Sequence, residues 1–192
     1  SAYRTHGLSA GGDAAHSAFL SRCSMVNASP EGADSDVILQ LLGQVSDPEV
    51  PVLSILDLGI VRSWRQDENG VEVVITPTYS GCPAMDTIEA DIRKTFLEAG
   101  YPSLEVRTVL DPPWTTDWMS AEGKEKLRAY GIAPPESKSA DKRTLFGKEE
   151  TVRCPHCRSL ETEVVSMFGS TACKALYRCK DCLEPFDYFK CI

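Results

Sequence analysis

Two C-x2-C turns near the C-terminus, Cys154-Pro155-His156-Cys157 and Cys179-Lys180-Asp181-Cys182, constrain this chain more than anything else in it. A two-residue gap lets both sulfurs of one turn reach a single ion, and two such turns complete a tetrahedral four-thiolate site. The 21 residues between the pairs can run out and back as a hairpin, with Glu163-Val164-Val165 on one arm and Ala175-Leu176-Tyr177-Arg178 on the other. A module of about forty residues has too small a core to fold unaided, so metal binding is expected to supply part of its folding energy. The expected ligands are Cys154, Cys157, Cys179 and Cys182, and zinc is the expected ion. Thiolates also hold iron–sulfur clusters, and spacing alone does not separate the two, so a cluster held transiently is the alternative. Cys173 and Cys191 exceed what one four-thiolate site consumes and stand as additional metal or thiol candidates. His156, inside a turn already supplied with two cysteines, reads as an exposed loop residue.

The formal charge of −8 argues against nucleic acid, whose binding depends on lysine and arginine neutralising phosphates. The tail from residue 151 onward is near neutral, so the acidity belongs to the upstream part and suits docking with basic partners. No stretch of about 18 apolar residues suggests a membrane span, and the first thirty residues lack the apolar core of a signal peptide. A cytoplasmic protein is expected, with its eight cysteines serving as metal ligands or reactive thiols rather than as a disulfide framework.

Residues 1–33, rich in Gly, Ala and Ser, read as a disordered leader in which Met25 is a candidate start. Asp34 and Ser35 suit the cap of a helix whose apolar stripe is Val37, Ile38, Leu41, Leu42 and Val45. Strands are expected at 60–65 and 71–76, joined by an Asn69-Gly70 hairpin turn. Met85, Ile88, Ile92 and Phe96 mark one face of a second helix, closed by Gly100. A third strand at 104–110, with Leu104, Val106, Thr108 and Leu110 on one side, and a short helix from Ser120 to Gly131 complete the domain. The expected architecture is α+β, a small mixed three-stranded sheet with flanking helices over residues 34–132. A linker at 133–150 and a zinc-ribbon-like module at 151–192 follow.

Cys82 lies where Ser80 and Gly81 suit a helix cap and Pro83 its first turn. The positive helix end should favour thiolate there, making Cys82 a candidate nucleophile, sulfur carrier or soft-metal ligand. A cysteine hydrolase needs a histidine base, and none occurs between His16 and His156. A carrier therefore fits better than an enzyme. Asp47, Glu49 and Asp57 flank the first loop and can supply carboxylates beside the thiol; Asp47 before Pro48 can equally do no more than cap a turn. Trp114 and Trp118, on a proline-stiffened loop, fit a partner-binding anchor or a lid over the sheet core equally well.

Asp47-Pro48-Glu49, Leu58-Gly59-Ile60-Val61 and Thr76-Pro-Thr-Tyr-Ser-Gly-Cys-Pro83 resemble the metal–sulfur cluster assembly factor domain. With Asp111-Pro-Pro-Trp-Thr-Thr-Asp-Trp118, Tyr130-Gly-Ile-Ala-Pro-Pro135 and Ser170-Thr-Ala-Cys-Lys-Ala-Leu-Tyr-Arg-Cys179, the chain from Asp34 to Ile192 resembles the phenylacetate-degradation protein D family, PaaD. The resemblance implies a non-catalytic accessory protein assisting iron–sulfur cluster or iron-centre assembly in the multicomponent phenylacetyl-CoA epoxidase. The iron–sulfur reductase component is the implied recipient. Cys82 would be the signature cysteine, and Asp47 and Glu49 its acidic pair. A structural subunit of the oxygenase complex is the alternative, and a homodimer is left open.

Overall fold

The computed structural model describes residues 33–135 and 152–190. The expected leader, most of the expected linker, and Cys191 lie outside them. In the body, α1 (Ala33–Gln44) is followed by an irregular loop and then by strands β1 (Val61–Asp67) and β2 (Gly70–Ile75). Helix α2 (Ala84–Glu98) and strand β3 (Leu104–Thr108) come next. The sheet has the order β1-β2-β3, with β1 antiparallel and β3 parallel to β2, as a mixed three-stranded sheet requires. Ile38, Leu41 and Leu42 of α1 and Ala84, Ile88, Ile92 and Phe96 of α2 bury their stripes in one core with Val73 and Ile75. Val37, expected in that stripe, is exposed.

Local chemistry fixes the boundaries. Helix α2 ends in a Schellman motif: Gly100 takes φ +89°, its N–H bonds Leu97 O, and Tyr101 N–H bonds Phe96 O. At the other turn the hairpin is displaced by one residue from its expected place. Its loop is Glu68-Asn69, and Gly70 is already paired with Asp67 at φ +137°. A Cβ there would meet the Ser103 carbonyl oxygen at 2.2 Å, so glycine is needed for β3 to close up. Asp34 and Ser35 lie within the first turn of α1 rather than capping it. Only Val106 of the expected apolar side of β3 is buried, because an edge strand is covered only at its middle; Thr108 and Leu110 are exposed.

A single 3-10 turn (Thr116–Trp118) leads to α3 (Ala121–Ala129), which Ser120 caps by accepting the Gly123 N–H. The chain then enters β4 (Ile132–Ala133), which belongs to a second sheet. That sheet has the order β4-β7-β6-β5, built with β5 (Thr162–Ser166), β6 (Lys174–Cys179) and β7 (Pro185–Phe189). β4 runs parallel to β7, so the ribbon's sheet takes one strand from the end of the body, across the boundary expected at 132/133. Strand β7 had no counterpart among the expected elements.

The two parts share a packed junction. Phe189 and Cys173 of the ribbon are buried in the body's core, while Tyr177, Phe186 and Tyr188 form a separate aromatic core inside the ribbon. Trp114 is only 4% exposed; its Nε1 donates to the Leu58 carbonyl at 3.0 Å and its ring meets Phe189 edge-on. Of the two roles open to Trp114, covering the core is the one the structure leaves it, since no face remains for a partner. Trp118 is half-buried and carries the Arg62 guanidinium 3.4 Å above its ring centroid. Among the described residues no helix is long and apolar enough to cross a membrane.

Candidate metal centres

In the ribbon, Cys154 and Cys157 sit before β5, Cys179 ends β6 and Cys182 precedes β7. Arg158 and Leu183, each directly after the second cysteine of its turn, adopt left-handed φ of 68° and 65°. Each turn is closed by the same bond, from Cys154 N–H to Ser159 O and from Cys179 N–H to Glu184 O. The two knuckles are thus near copies of one another. They bring Cys154 Sγ to 3.7 Å from Cys182 Sγ and Cys157 Sγ to 3.5 Å from Cys179 Sγ, and all four sulfurs lie within 4.8 Å of one another. A regular tetrahedron with arms of about 2.3 Å has edges of roughly 3.8 Å, so the set fits one ion. The distances are far beyond the roughly 2.05 Å of a disulfide. Backbone N–H groups of Cys182 and Asp181 lower the Cys179 thiol, while the crowding of four sulfurs raises those of Cys157 and Cys182, so without an ion the set shares protons among its members. His156 stays exposed and outside this group.

The second site is built from two loops of the body. In the first, the chain doubles back so that Asp47 N–H bonds Leu53 O, and Asp47 Oδ1 accepts the N–H groups of Glu49 (2.8 Å) and Val50 (2.7 Å). The turn-capping role of Asp47 is real, and it orients Glu49. In the second, the segment after β2 turns at Tyr79, whose carbonyl accepts the Cys82 N–H, and delivers Cys82 to the start of α2. Pro83, not Ser80 or Gly81, occupies the cap position, and no side chain caps the helix.

Electrostatics at Cys82 differ from the sequence expectation. Burial pushes the thiol above its ordinary value, and Glu49 and Asp47 push it further. The Ala84 N–H at the helix start and the neighbouring Tyr79 hydroxyl oppose this but do not win. The helix end acts as expected; the carboxylates and the lost water outweigh it. Burial, together with Cys82, Glu49 and Cys173, drives the Tyr79 hydroxyl up to about 12, so it stays a donor. Asp47 is likewise raised, first by burial, with the Val50 and Glu49 N–H groups and Lys174 pulling the other way.

Asp57, the third acid of the first loop, does different work. Its carboxylate accepts Ser54 N–H and Oγ, Ser120 Oγ and Lys126 Nζ at 2.8 Å, tying the loop to α3. Sequence reasoning missed Tyr79, although it stands three residues before Cys82. It also missed the buried Lys174, which acts on both Asp47 and Cys173.

Comparison with known proteins agrees with this division. Residues 35–110 match the family described as "Iron-sulfur cluster assembly protein", and residues 138–190 match the "PaaD zinc beta ribbon domain". The chain is 51% identical over 155 residues, 81% of this chain and 92% of the relative, to the Escherichia coli K12 protein named as a "putative 1,2-phenylacetyl-CoA epoxidase" component. The chain belongs to the PaaD family. The chain is also 38% identical over 101 residues, 50% of this chain and 96% of the relative, to the "Fe-S protein maturation auxiliary factor YitW" of Bacillus subtilis. A solved "Domain of Unknown Function DUF59" from Bacillus anthracis is 32% identical, covering 48% of this chain and 89% of its own, at a TM-score of 0.45.

Proposed function

We propose that this chain is a non-catalytic maturation factor that assists iron–sulfur cluster or iron-centre assembly in a phenylacetyl-CoA epoxidase, with the iron–sulfur reductase component as recipient. The observation that carries the reading is the contrast within one chain between four sulfurs whose ligand atoms lie within 4.8 Å of one another and a separate half-buried thiol, Cys82, that feels the Glu49 and Asp47 carboxylates. Structural metal sites are closed, whereas sites that exchange what they hold keep positions open. In the ribbon, Cys154, Cys157, Cys179 and Cys182 hold zinc, which supplies folding energy and no chemistry. At the open site Cys82 is the sulfur ligand for the cargo, Glu49 the nearby carboxylate, and Asp47 the residue that positions Glu49. The neighbouring Tyr79 hydroxyl favours the Cys82 thiolate, and the thiol proton leaves to solvent as iron binds. No histidine lies between His16 and His156 to serve as a base for covalent catalysis.

Cys82→Ser tests this. Cells carrying the variant should yield reductase with several-fold less iron and labile sulfide, while the purified variant keeps its zinc and its melting temperature. Full cluster occupancy of the reductase in those cells would overturn the reading. The name of the Escherichia coli relative favours a second one, a structural subunit of the oxygenase. That reading predicts co-purification with the oxygenase at a fixed ratio, unaffected by Cys82→Ser.

A further inference from the structure

The loop joining β5 to β6 carries a surface that neither metal site uses. Val165 near the end of β5, and Met167 and Phe168 just after it, are all more than half exposed, Phe168 at 74%. Large apolar side chains so close together make a patch, whereas single exposed ones are ordinary. The backbone beneath them is pinned. Ser166 Oγ accepts the Phe168 N–H and donates to the Phe168 carbonyl, and the Gly169 N–H bonds the Lys174 carbonyl at 2.8 Å. Lys190, just after β7, sets its ammonium 4.6 Å from the centre of the Phe168 ring and donates to the Met167 carbonyl at 2.6 Å. Among the described residues no carboxylate pairs with that ammonium. At its other end the same loop delivers Cys173, whose thiol donates to Glu49 at 3.6 Å, so the loop reaches from the patch to the acidic loop of the body.

Charge and register decide what such a patch can take. Residues 164–174 contain no acid, in a chain with 28 Asp and Glu and a net charge of −8, and Lys190 adds a cation at the rim. A second copy docking about a two-fold axis would set Lys190 against Lys190 and one acidic body against another. Strand addition is opposed by the edge itself: β5 ends its sheet, but Val165 is an extra residue where the register slips, and an edge bulge spoils pairing. Side-chain docking by an apolar surface rimmed with carboxylates suits both the patch and its lysine.

We propose that Val165, Met167 and Phe168, with Lys190, form the docking surface for the protein that receives the cargo, and that this partner presents an apolar patch edged with Asp and Glu. The inference rests on the carrier reading and deepens it: the ribbon selects the recipient, while Cys82 of the body holds what is delivered.

The test is binding of the full zinc-replete chain to the purified iron–sulfur reductase component, stripped of its cluster, by calorimetric titration at low and high salt. Wild type, Phe168→Ser, Lys190→Glu and Cys82→Ser are compared. Phe168→Ser should bind at least about tenfold more weakly, as loss of an interface anchor does, with zinc and melting temperature at wild type because the ring is exposed. Lys190→Glu should weaken binding most at low salt, where the lost attraction is least screened. Cys82→Ser should bind like wild type. Equal affinity of Phe168→Ser and wild type, or no binding by wild type, would overturn the inference. Neither outcome touches the carrier reading, which cluster occupancy in cells carrying Cys82→Ser judges separately. A marked fall in melting temperature in Phe168→Ser would mean that the chain itself covers the patch. A wild-type dimer lost in Phe168→Ser would mean that a second copy does, and either result overturns the proposal.

Discussion

Within the ribbon, four sulfurs from two near-identical knuckles pair across at 3.7 and 3.5 Å. Around Cys82 the donors are mixed, sulfur and carboxylate, and arrive from separate loops whose hydrogen bonds serve other ends: Asp47 caps a turn and Tyr79 accepts an N–H. The first arrangement is encoded locally, by a short pattern used twice. The second exists only after the body has folded and brought its two loops together. On the proposed reading a metal makes the first site fold, whereas the second folds without cargo and can release it again. That difference separates a structural ion from a delivered one.

Removing the structural ion should have the largest effect. Cys179→Ser, or a strong chelator, takes away binding free energy of about 10–16 kcal/mol that a structural zinc contributes. Zinc analysis with limited proteolysis should show cleavage confined to residues beyond 135 while the body stays intact. A variant that kept a protected ribbon without metal would break the contrast between the two sites.

The junction between the sites is next. Phe189 is 2% exposed and packs edge-on against Trp114, so Phe189→Ala should cost about 3–5 kcal/mol through lost burial and a cavity. Because the knuckles do not include Phe189, zinc content should hold at wild type while the melting temperature falls. Thermal melting beside metal analysis reads both; simultaneous loss of zinc would mean the two sites are less separable than their geometry indicates.

A smaller effect, carried by protons, concerns Asp57. Burial alone would raise its carboxyl, but the Lys126 ammonium and the Ser54 N–H and hydroxyl outweigh it and hold the carboxyl below its ordinary value. A group with a depressed folded value contributes stability above its unfolded value of about 3.9. That contribution disappears as pH falls through the lower folded value. Acid melting curves should therefore steepen below about pH 4 in wild type and flatten in Asp57→Asn. At neutral pH the variant should lose about 1–3 kcal/mol, toward the low end because Lys126 is more than a third exposed. Iron and zinc binding should both survive, since Asp57 belongs to neither site.

These elements also mark what the sequence makes legible. The C-x2-C spacing foretells the ribbon site because both knuckles are closed by bonds within each turn. Ile88, Ile92 and Phe96 foretell a buried helix face because helical periodicity is local. The thiol of Cys82 runs against expectation because its charge is set by Glu49 and Asp47 from another loop and by burial, which no neighbour in sequence reveals. The two-residue strand Ile132–Ala133 and the place of Cys173 against Glu49 depend on docking, across 124 residues in the second case. Trp114, equally suited by sequence to a surface or a core, is decided by one hydrogen bond to Leu58 and one ring contact.

The smallest predicted effect lies beside the open site. Thr76 begins the segment that delivers Cys82; its Oγ1 is buried and finds no hydrogen-bond partner among the described residues. An orphaned buried hydroxyl costs stability, whereas an apolar group of the same shape leaves nothing unsatisfied. Thr76→Val should then raise stability by about 1 kcal/mol, visible as a higher denaturation midpoint at unchanged slope. If it does so with iron retention intact, the hydroxyl is a plain flaw in the core. If stability rises while iron retention falls, the flaw belongs to the site, and the segment from Thr76 joins Cys82 and Glu49 in holding the cargo. A drop in stability would mean that Thr76 has a partner in solution, and the segment before Cys82 would then be as well satisfied as the ribbon's knuckles.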